Sequence, residues 1–114
     1  MKLVICRLDY KNPSDINSYK SLPGLTSVND IQDVNEVNSI SAYFTTKEEA
    51  EAFHSKFPKS YKGRLGRMSG MTGYNFYVGF NFNTFWGNNS TGDVNETAIK
   101  RRDKVINKIK SLSF

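Results

Sequence analysis

Apolar side chains occupy every second position between Gly73 and Asn83, and this pattern restricts the possible folds more than any other feature of the chain. Successive side chains of a β-strand point to opposite faces, so the pattern predicts a strand with one apolar and one polar face. A sheet built on such a strand needs other elements to cover its apolar face, while its second face meets water. The alternating residues are Tyr74, Phe76, Val78, Phe80 and Phe82 against Asn75, Tyr77, Gly79, Asn81 and Asn83.

Three other segments are predicted to join this strand in a sheet. Residues 2–9 (KLVICRLD) are rich in β-forming residues and predict a buried first strand, in which Cys6 is expected to act as a small buried apolar residue. Residues 39–44 (SISAYF) predict a second strand, and residues 60–68 a weaker third. The short segment Ser69-Gly70-Met71-Thr72 then suits a hairpin connection.

Two helices are predicted from capping residues and apolar spacing. Thr45 with Glu48, or Thr46 with Glu49, forms a capping box for the first helix, which Pro58 ends. The second helix is predicted to begin at a cap formed by Asp93 and Glu96 and to reach about Ser111. Its apolar stripe contains Val94, Ala98, Val105, Ile109 and Leu112.

Residues 11–36 are mainly Asn, Ser and Asp, with a Pro23-Gly24 pair, and are predicted to form a long irregular loop. The length of 114 residues suits one domain spanning residues 1–114. We therefore expect an α+β fold, with an antiparallel sheet of about four strands and two helices packed on one face. The expected order is strand, loop, strand, helix, strand, strand, helix.

Charge is distributed unevenly along the chain. Residues 1–57 carry six Lys and Arg against eight Asp and Glu, whereas residues 58–114 carry ten against three. Residues 52–92 contain no carboxylate and hold ten of the fifteen aromatic residues. Such an asymmetry bears on binding partners and not on the fold. Cations interleaved with rings are typical of proteins that bind single-stranded nucleic acid, because cations contact phosphates and rings stack on bases.

The final helix supplies one group of candidate binding residues. Lys100, Lys104 and Lys108 recur at a spacing of four residues, with Arg101 beside them. Like charges at this spacing destabilise a helix by about 0.2–0.5 kcal/mol per pair, so the row favours a polyanionic ligand. The alternative is a solvated helix face whose late cations complement the helix dipole.

The carboxylate-free segment supplies the remaining candidates. Tyr77 lies on the polar face of its predicted strand, where its ring could stack on a base and neighbouring amides could read the edge of that base. Basic residues of the preceding strand would contact phosphates. The sequence thus predicts a nucleic acid or a nucleoprotein complex as partner, contacted by Lys62, Arg64, Arg67, Tyr77, Lys100, Arg101, Lys104 and Lys108.

A second class of function depends on other residues. Phe85 and Trp86 are two large rings beside a polar loop, and they could anchor a protein partner. They could equally cover one end of the sheet. The alternative function is a protein-binding inhibitor or adaptor of phage or mobile-element type, for example an anti-defence or anti-CRISPR-like protein. The short, asparagine-rich chain is similar in general style to such proteins.

The sequence gives little support to catalysis or metal binding. One Cys and one His do not form a pattern of metal ligands, and His54 has no suitable nucleophile close in sequence. We therefore expect a protein without enzyme activity, metal or cofactor. A lone cysteine forms no intramolecular disulfide, and no apolar run is long enough for a membrane span, so we expect a cytoplasmic location without a membrane partner.

Overall fold

The computed structural model describes residues 1–10, 19–68, 72–82 and 96–112. These residues form an α+β fold, as predicted. The five strands are β1 (Lys2–Tyr10), β2 (Tyr19–Leu25), β3 (Val37–Phe44), β4 (Arg64–Arg67) and β5 (Phe76–Asn81). The helices are α1 (Lys47–Ser55) and α2 (Glu96–Ser111), and short 3₁₀ turns occur at Val28–Asp30, Val34–Glu36 and Lys59–Tyr61. Neither described α-helix is long and apolar enough to cross a membrane.

The strands form one antiparallel sheet in the order β2-β1-β3-β5-β4. The register aligns Ile5 of β1 with Ile40 of β3, and Ile40 with Phe80 of β5. All three side chains are buried. Because side chains alternate between faces along each strand, this row defines the apolar face of the sheet.

Both helices cover the apolar face. Ala50 and Phe53 of α1 and Val105, Ile106 and Ile109 of α2 belong to one hydrophobic core. Burying a side chain of this size contributes about 1.5–3 kcal/mol, so the helices and the sheet stabilise one another. The strand residues in the same core include Leu3, Ile5, Ile40, Ala42, Phe44, Val78 and Phe80.

Helix α1 begins at the capping box formed by Thr46 and Glu49. The N–H of Glu49 donates to Thr46 Oγ1 over 3.2 Å, and the Thr46 hydroxyl donates to the Glu49 carboxylate over 2.9 Å. The Thr45 hydroxyl donates to the same carboxylate over 3.0 Å. The hydrogen bond from Thr46, followed by that from Thr45, holds the pKa of Glu49 below its ordinary value. The structure therefore selects the second of the two predicted registers.

The irregular loop predicted for residues 11–36 is wrong for residues 19–25. Tyr19–Leu25 forms β2, an edge strand paired with β1, so the sheet has five strands instead of about four. Pro23-Gly24 does not end the strand because proline is tolerated at a sheet edge, where a missing N–H costs no ladder hydrogen bond. The Pro23 carbonyl instead accepts two hydrogen bonds from the Arg7 guanidinium, over 2.7 and 2.9 Å.

Two other elements are shorter than predicted. The strand predicted at 60–68 is confined to Arg64–Arg67, and its first residues lie in the Lys59–Tyr61 turn. The strand predicted at 73–83 runs from Phe76 to Asn81. The cap predicted at Asp93 lies outside the described residues.

Candidate nucleic-acid interface

The face of the sheet opposite the core is accessible to solvent. None of its residues belongs to the core cluster, and several of them, including Cys6 and Arg64, are exposed. The strand registers place three rows of side chains on this face. We call it the open face and define it by Lys2, Tyr43, Tyr77 and Gly66 in the first row, Val4, Ser41, Gly79 and Arg64 in the second, and Cys6, Ser39 and Asn81 in the third.

The Tyr77 ring lies across the surface of the open face. Gly66 is its cross-strand partner, and a Cβ at Gly66 would lie only 2.7 Å from Cε1, Cζ and Oη of the ring. A Cβ at Gly79 would lie 3.5 Å from Cε2 on the other edge of the ring. The ring therefore occupies space that a side chain at position 66 would need. An aromatic ring packed over a cross-strand glycine is a known way to stabilise a sheet, and Tyr77 remains partly exposed in this position.

Tyr43 extends this aromatic surface, although the sequence did not identify it as a site residue. It is the cross-strand partner of Tyr77 on β3, with 6.4 Å between the ring centroids and 46° between the ring planes. Aromatic pairs interact favourably over such distances. The alternation of Tyr43 with buried Ala42 and Phe44 already indicated a position on the other face. Its place beside Tyr77 depends on the strand order.

Two cations lie on either side of the tyrosine pair. Lys2 is in the first row, opposite Tyr43, and its Nζ lies 6.0 Å from the centroid of the Tyr74 ring. Arg64 is in the second row, at the β4 edge of the open face, and is exposed. The open face contains no Asp or Glu among its defining residues. Its charge is therefore positive.

Arg67 does not share this face. It lies three residues after Arg64 on the same strand, so its side chain points to the other side of the sheet. Its guanidinium carbon lies 5.6 Å from the centroid of the Phe76 ring. Arg64 and Arg67 were both predicted to contact phosphates beside Tyr77. Of these two, the structure places only Arg64 on the open face.

A second basic surface lies where α2 packs beside the Lys59–Tyr61 turn. The Lys104 Nζ is 5.9 Å from the centroid of the Tyr61 ring, and Lys100 lies one helical turn before Lys104. Lys62 follows Tyr61 directly and donates from Nζ to the Phe57 carbonyl over 3.3 Å. We call Lys62, Lys100 and Lys104 the basic flank. Lys108, one further turn along α2, extends the same row.

Arg101 holds α2 to the end of the sheet. Its guanidinium donates to the carbonyls of Asn81, over 3.1 Å, and Lys62, over 3.4 Å. The guanidinium carbon also lies 6.0 Å from the centroid of the Phe82 ring. Two guanidinium nitrogens of Arg101 thus donate to backbone carbonyls, so this predicted binding residue positions the basic flank. The ammonium of Lys62 makes one such contact in the described structure and has further N–H donors for a ligand.

The basic flank and the open face meet at the β4 edge of the sheet. Lys62 precedes Arg64 by only two residues, and Arg101 links the carbonyls of Lys62 and Asn81. Asn81 is in turn the last open-face residue of β5. Lys62, Arg64 and Arg101 thus lie near one another where this edge of the sheet meets α2.

The cations of both surfaces have no carboxylate partner within the part of the chain that the structure describes. There the salt bridges are Arg7–Glu36, Lys47–Glu51 and Arg102–Asp103. Lys62, Arg64 and the lysines of the flank take part in none of them. Among the described residues, no carboxylate neutralises their charge.

Arg102 is a buried cation that the sequence prediction overlooked. The residue is 1% exposed, and its Nε donates to Asp103 Oδ1 over 3.1 Å, while Nη2 donates to Asn35 Oδ1 over 3.3 Å. The helical spacing of the apolar residues already indicated this burial, because residue 102 lies between 98 and 105 in the apolar stripe of α2. Arg102 belongs to the core and to neither basic surface.

Cys6 was predicted to be buried, and this prediction is wrong. It is exposed in the third row of the open face. The apolar run of β1 is covered on one side only, so Leu3 and Ile5 reach the core while Val4 and Cys6 point away from it.

The remaining candidates from the sequence are His54, a metal site, and the pair Phe85 and Trp86. His54 donates from Nε2 to the Gly63 carbonyl over 3.0 Å, which ties α1 to the chain just before β4. No group of three His, Cys, Asp or Glu side chains suited to a metal ion occurs among residues 1–10, 19–68, 72–82 and 96–112. Phe85 and Trp86, the predicted anchors for a protein partner, lie outside these ranges.

The chain matches no protein-family model, no curated protein and no solved structure. Its function is therefore inferred from the geometry and charge of the open face and the basic flank.

Proposed function

We propose that the protein binds nucleic acid and contacts its phosphates through the basic flank and Arg64. The observation that carries this proposal is a set of neighbouring cations that have no carboxylate partner among the described residues, namely Arg64, Lys62, Lys100 and Lys104. Lysine and arginine that neutralise phosphates release condensed counterions, which supplies most of the affinity of sequence-independent binding.

The helix dipole does not explain the whole row on α2. Lys108 and Lys110 lie in the last turn of the helix, where cations complement the dipole. Lys100 lies only four residues after Glu96, the first residue of α2, and gains nothing from the dipole. A solvated helix face therefore explains Lys108 better than it explains Lys100.

The proposal is tested by fluorescence anisotropy with labelled DNA and RNA, each single-stranded and double-stranded. Strands of about 16 nucleotides cover the site sizes known for small single-strand binding domains. Four phosphate contacts predict that single-strand affinity falls about fifty-fold between about 50 and 200 mM salt. Absence of binding to all four ligands at the lower salt would overturn the proposal.

A double variant tests the position of the site. Lys100→Ala with Lys104→Ala should weaken binding because it removes two of the four cations. Lys20→Ala with Lys110→Ala is the matched control, since it changes the net charge equally and both lysines are exposed outside the two surfaces. Equal weakening by both variants would show that net charge alone, and not the flank, holds the ligand.

The predicted alternative, a protein-binding inhibitor or adaptor, would use Phe85, Trp86 and the 11–36 loop as its contact surface. Phe85 and Trp86 lie outside the described residues. A protein with no affinity for nucleic acid at low salt would direct the search to a protein partner.

A further inference from the structure

We infer that the open face binds a single strand of nucleic acid by stacking its unpaired bases on Tyr77 and Tyr43. This inference rests on the proposed function and specifies its ligand. The basic flank supplies phosphate contacts that any nucleic acid offers. The open face supplies a surface that only unpaired bases fit.

The orientation of the Tyr77 ring is the first reason to infer base stacking. Tyr77 packs against Gly66, where a Cβ would lie 2.7 Å from Cε1, Cζ and Oη, so one side of the ring rests on the backbone of β4. The residue is partly exposed, and we infer that its exposed part is the ring surface turned away from β4. Stacking on a base requires an accessible ring face held in a fixed orientation, and this packing provides both.

The residues around the rings are small or polar. Gly79 and Ser41 lie directly beyond the tyrosine pair in the second row, and Ser39 and Asn81 follow in the third. Short side chains leave space above the sheet for flat bases. The hydroxyls and the amide offer donors and acceptors to base edges. A duplex keeps its bases stacked and paired, so it cannot lay them on this surface.

The positive charge of the open face also suits a single strand of nucleic acid. Lys2 and Arg64 lie on opposite sides of the tyrosine pair, and the defining residues of the open face include no acid. Phosphates on either side of a stacked base would each meet a cation. From Arg64 the strand would continue to Lys62 and the basic flank.

Cys6 provides a direct probe of this surface. It is the only cysteine of the chain, and it is exposed in the third row, four residues and about 13 Å along the strands from the tyrosine row. A bound strand that crosses the open face should slow alkylation of Cys6 by N-ethylmaleimide, an uncharged reagent, by at least severalfold. The rate is followed by mass spectrometry with and without a saturating single strand.

A relocated thiol controls for effects remote from the open face. The variant Cys6→Ser with Ser111→Cys carries its thiol at the exposed end of α2. Its alkylation rate should be the same with and without the single strand. Saturating duplex should leave Cys6 of the unmodified protein as reactive as in the free protein.

Three variants test the stacking rings. Tyr77→Ala should weaken single-strand binding about five- to 150-fold, the range measured for loss of one stacked base, and Tyr43→Ala should act in the same direction. Tyr77→Phe keeps the ring and should bind as the unmodified protein does. Gly66→Ala keeps Tyr77 but displaces its ring, so it should weaken binding although no ring is lost. Circular dichroism shows that each variant is folded.

The outcomes separate this inference from the function on which it rests. If single strands bind with the expected salt dependence but leave Cys6 alkylation unchanged, the open face is not the site. If Tyr77→Ala retains full affinity, stacking is absent. If duplex protects Cys6 equally, single-strand selectivity is overturned. Each of these results leaves nucleic-acid binding by the basic flank intact, whereas absence of all binding overturns both.

Discussion

The buried arginine of α2 gives a prediction about stability that does not depend on the proposed function. Arg102 is 1% exposed, while its partner Asp103 keeps 47% of its side-chain exposure and Asn35 is exposed. The guanidinium has therefore lost its water for one ion pair and one amide contact. Burying a charge costs several kcal/mol before such contacts are counted, so the aliphatic part of Arg102 should stabilise the fold more than its charge.

Two substitutions separate volume from charge. Arg102→Ala leaves a cavity in the core and should cost about 2–5 kcal/mol, as for other large buried side chains. Arg102→Met keeps an unbranched side chain of similar reach and removes the charge. Because Asp103 and Asn35 can both turn to water, this variant should change the free energy of unfolding by only about 1 kcal/mol, in either direction.

Urea unfolding followed by circular dichroism measures both changes. With a slope of about 1–3 kcal/mol per molar urea, Arg102→Ala should lower the midpoint by roughly 1 M or more, and Arg102→Met should leave it nearly unchanged. If Arg102→Met is as unstable as Arg102→Ala, the contacts to Asp103 and Asn35 stabilise the fold and the reasoning from desolvation is refuted.

Two further predictions concern the cap of α1 and the chain before β4. Thr46→Ala should destabilise the protein by about 1 kcal/mol at pH 7. Because its folded pKa is lowered, ionised Glu49 contributes stability above its ordinary pKa of 4.5 and loses that contribution as pH falls through the lowered value. The difference in urea midpoint between Thr46→Ala and the unmodified protein should therefore narrow as the pH is lowered below that ordinary value, and an unchanged difference would contradict the role of the carboxylate. Gly63→Ala should cost about 1–3 kcal/mol, since its Cβ would lie 2.7 Å from Phe80 in the core. Gly79→Ala, which makes only ordinary contacts, is the matched control, and equal thermal stability of the two variants would show that the core absorbs the extra methyl.

Local signals in the sequence predicted some elements well. The capping residues of α1 act within one helical turn, and Pro58 follows its end, so a short window of sequence contains the whole signal. The alternation in β5 likewise shows directly which residues reach the core. β2 was missed because Pro23-Gly24 is typical of a turn. Its acceptance in a strand depends on the strand lying at an edge, which the local sequence does not reveal.

The candidate site was predictable only in part for the same reason. The face of Tyr77 followed from alternation, and the spacing of Lys100 and Lys104 followed from the helical period. The pairing of Tyr43 with Tyr77 joins residues 34 positions apart and exists only because β3 and β5 are neighbours. The separation of Arg67 from Arg64 followed from strand alternation, but only once the bounds of β4 were known.

Phosphate binding by the basic flank is best measured as the slope of the logarithm of single-strand affinity against the logarithm of salt concentration. Each neutralised phosphate of a single strand contributes about −0.7, so Lys62, Arg64, Lys100 and Lys104 together predict a slope of about −2.8. Lys100→Ala with Lys104→Ala should reduce it to about −1.4. The control Lys20→Ala with Lys110→Ala should keep the original slope. A slope near zero, or a slope that the flank variant leaves unchanged, would contradict nucleic-acid binding through this surface.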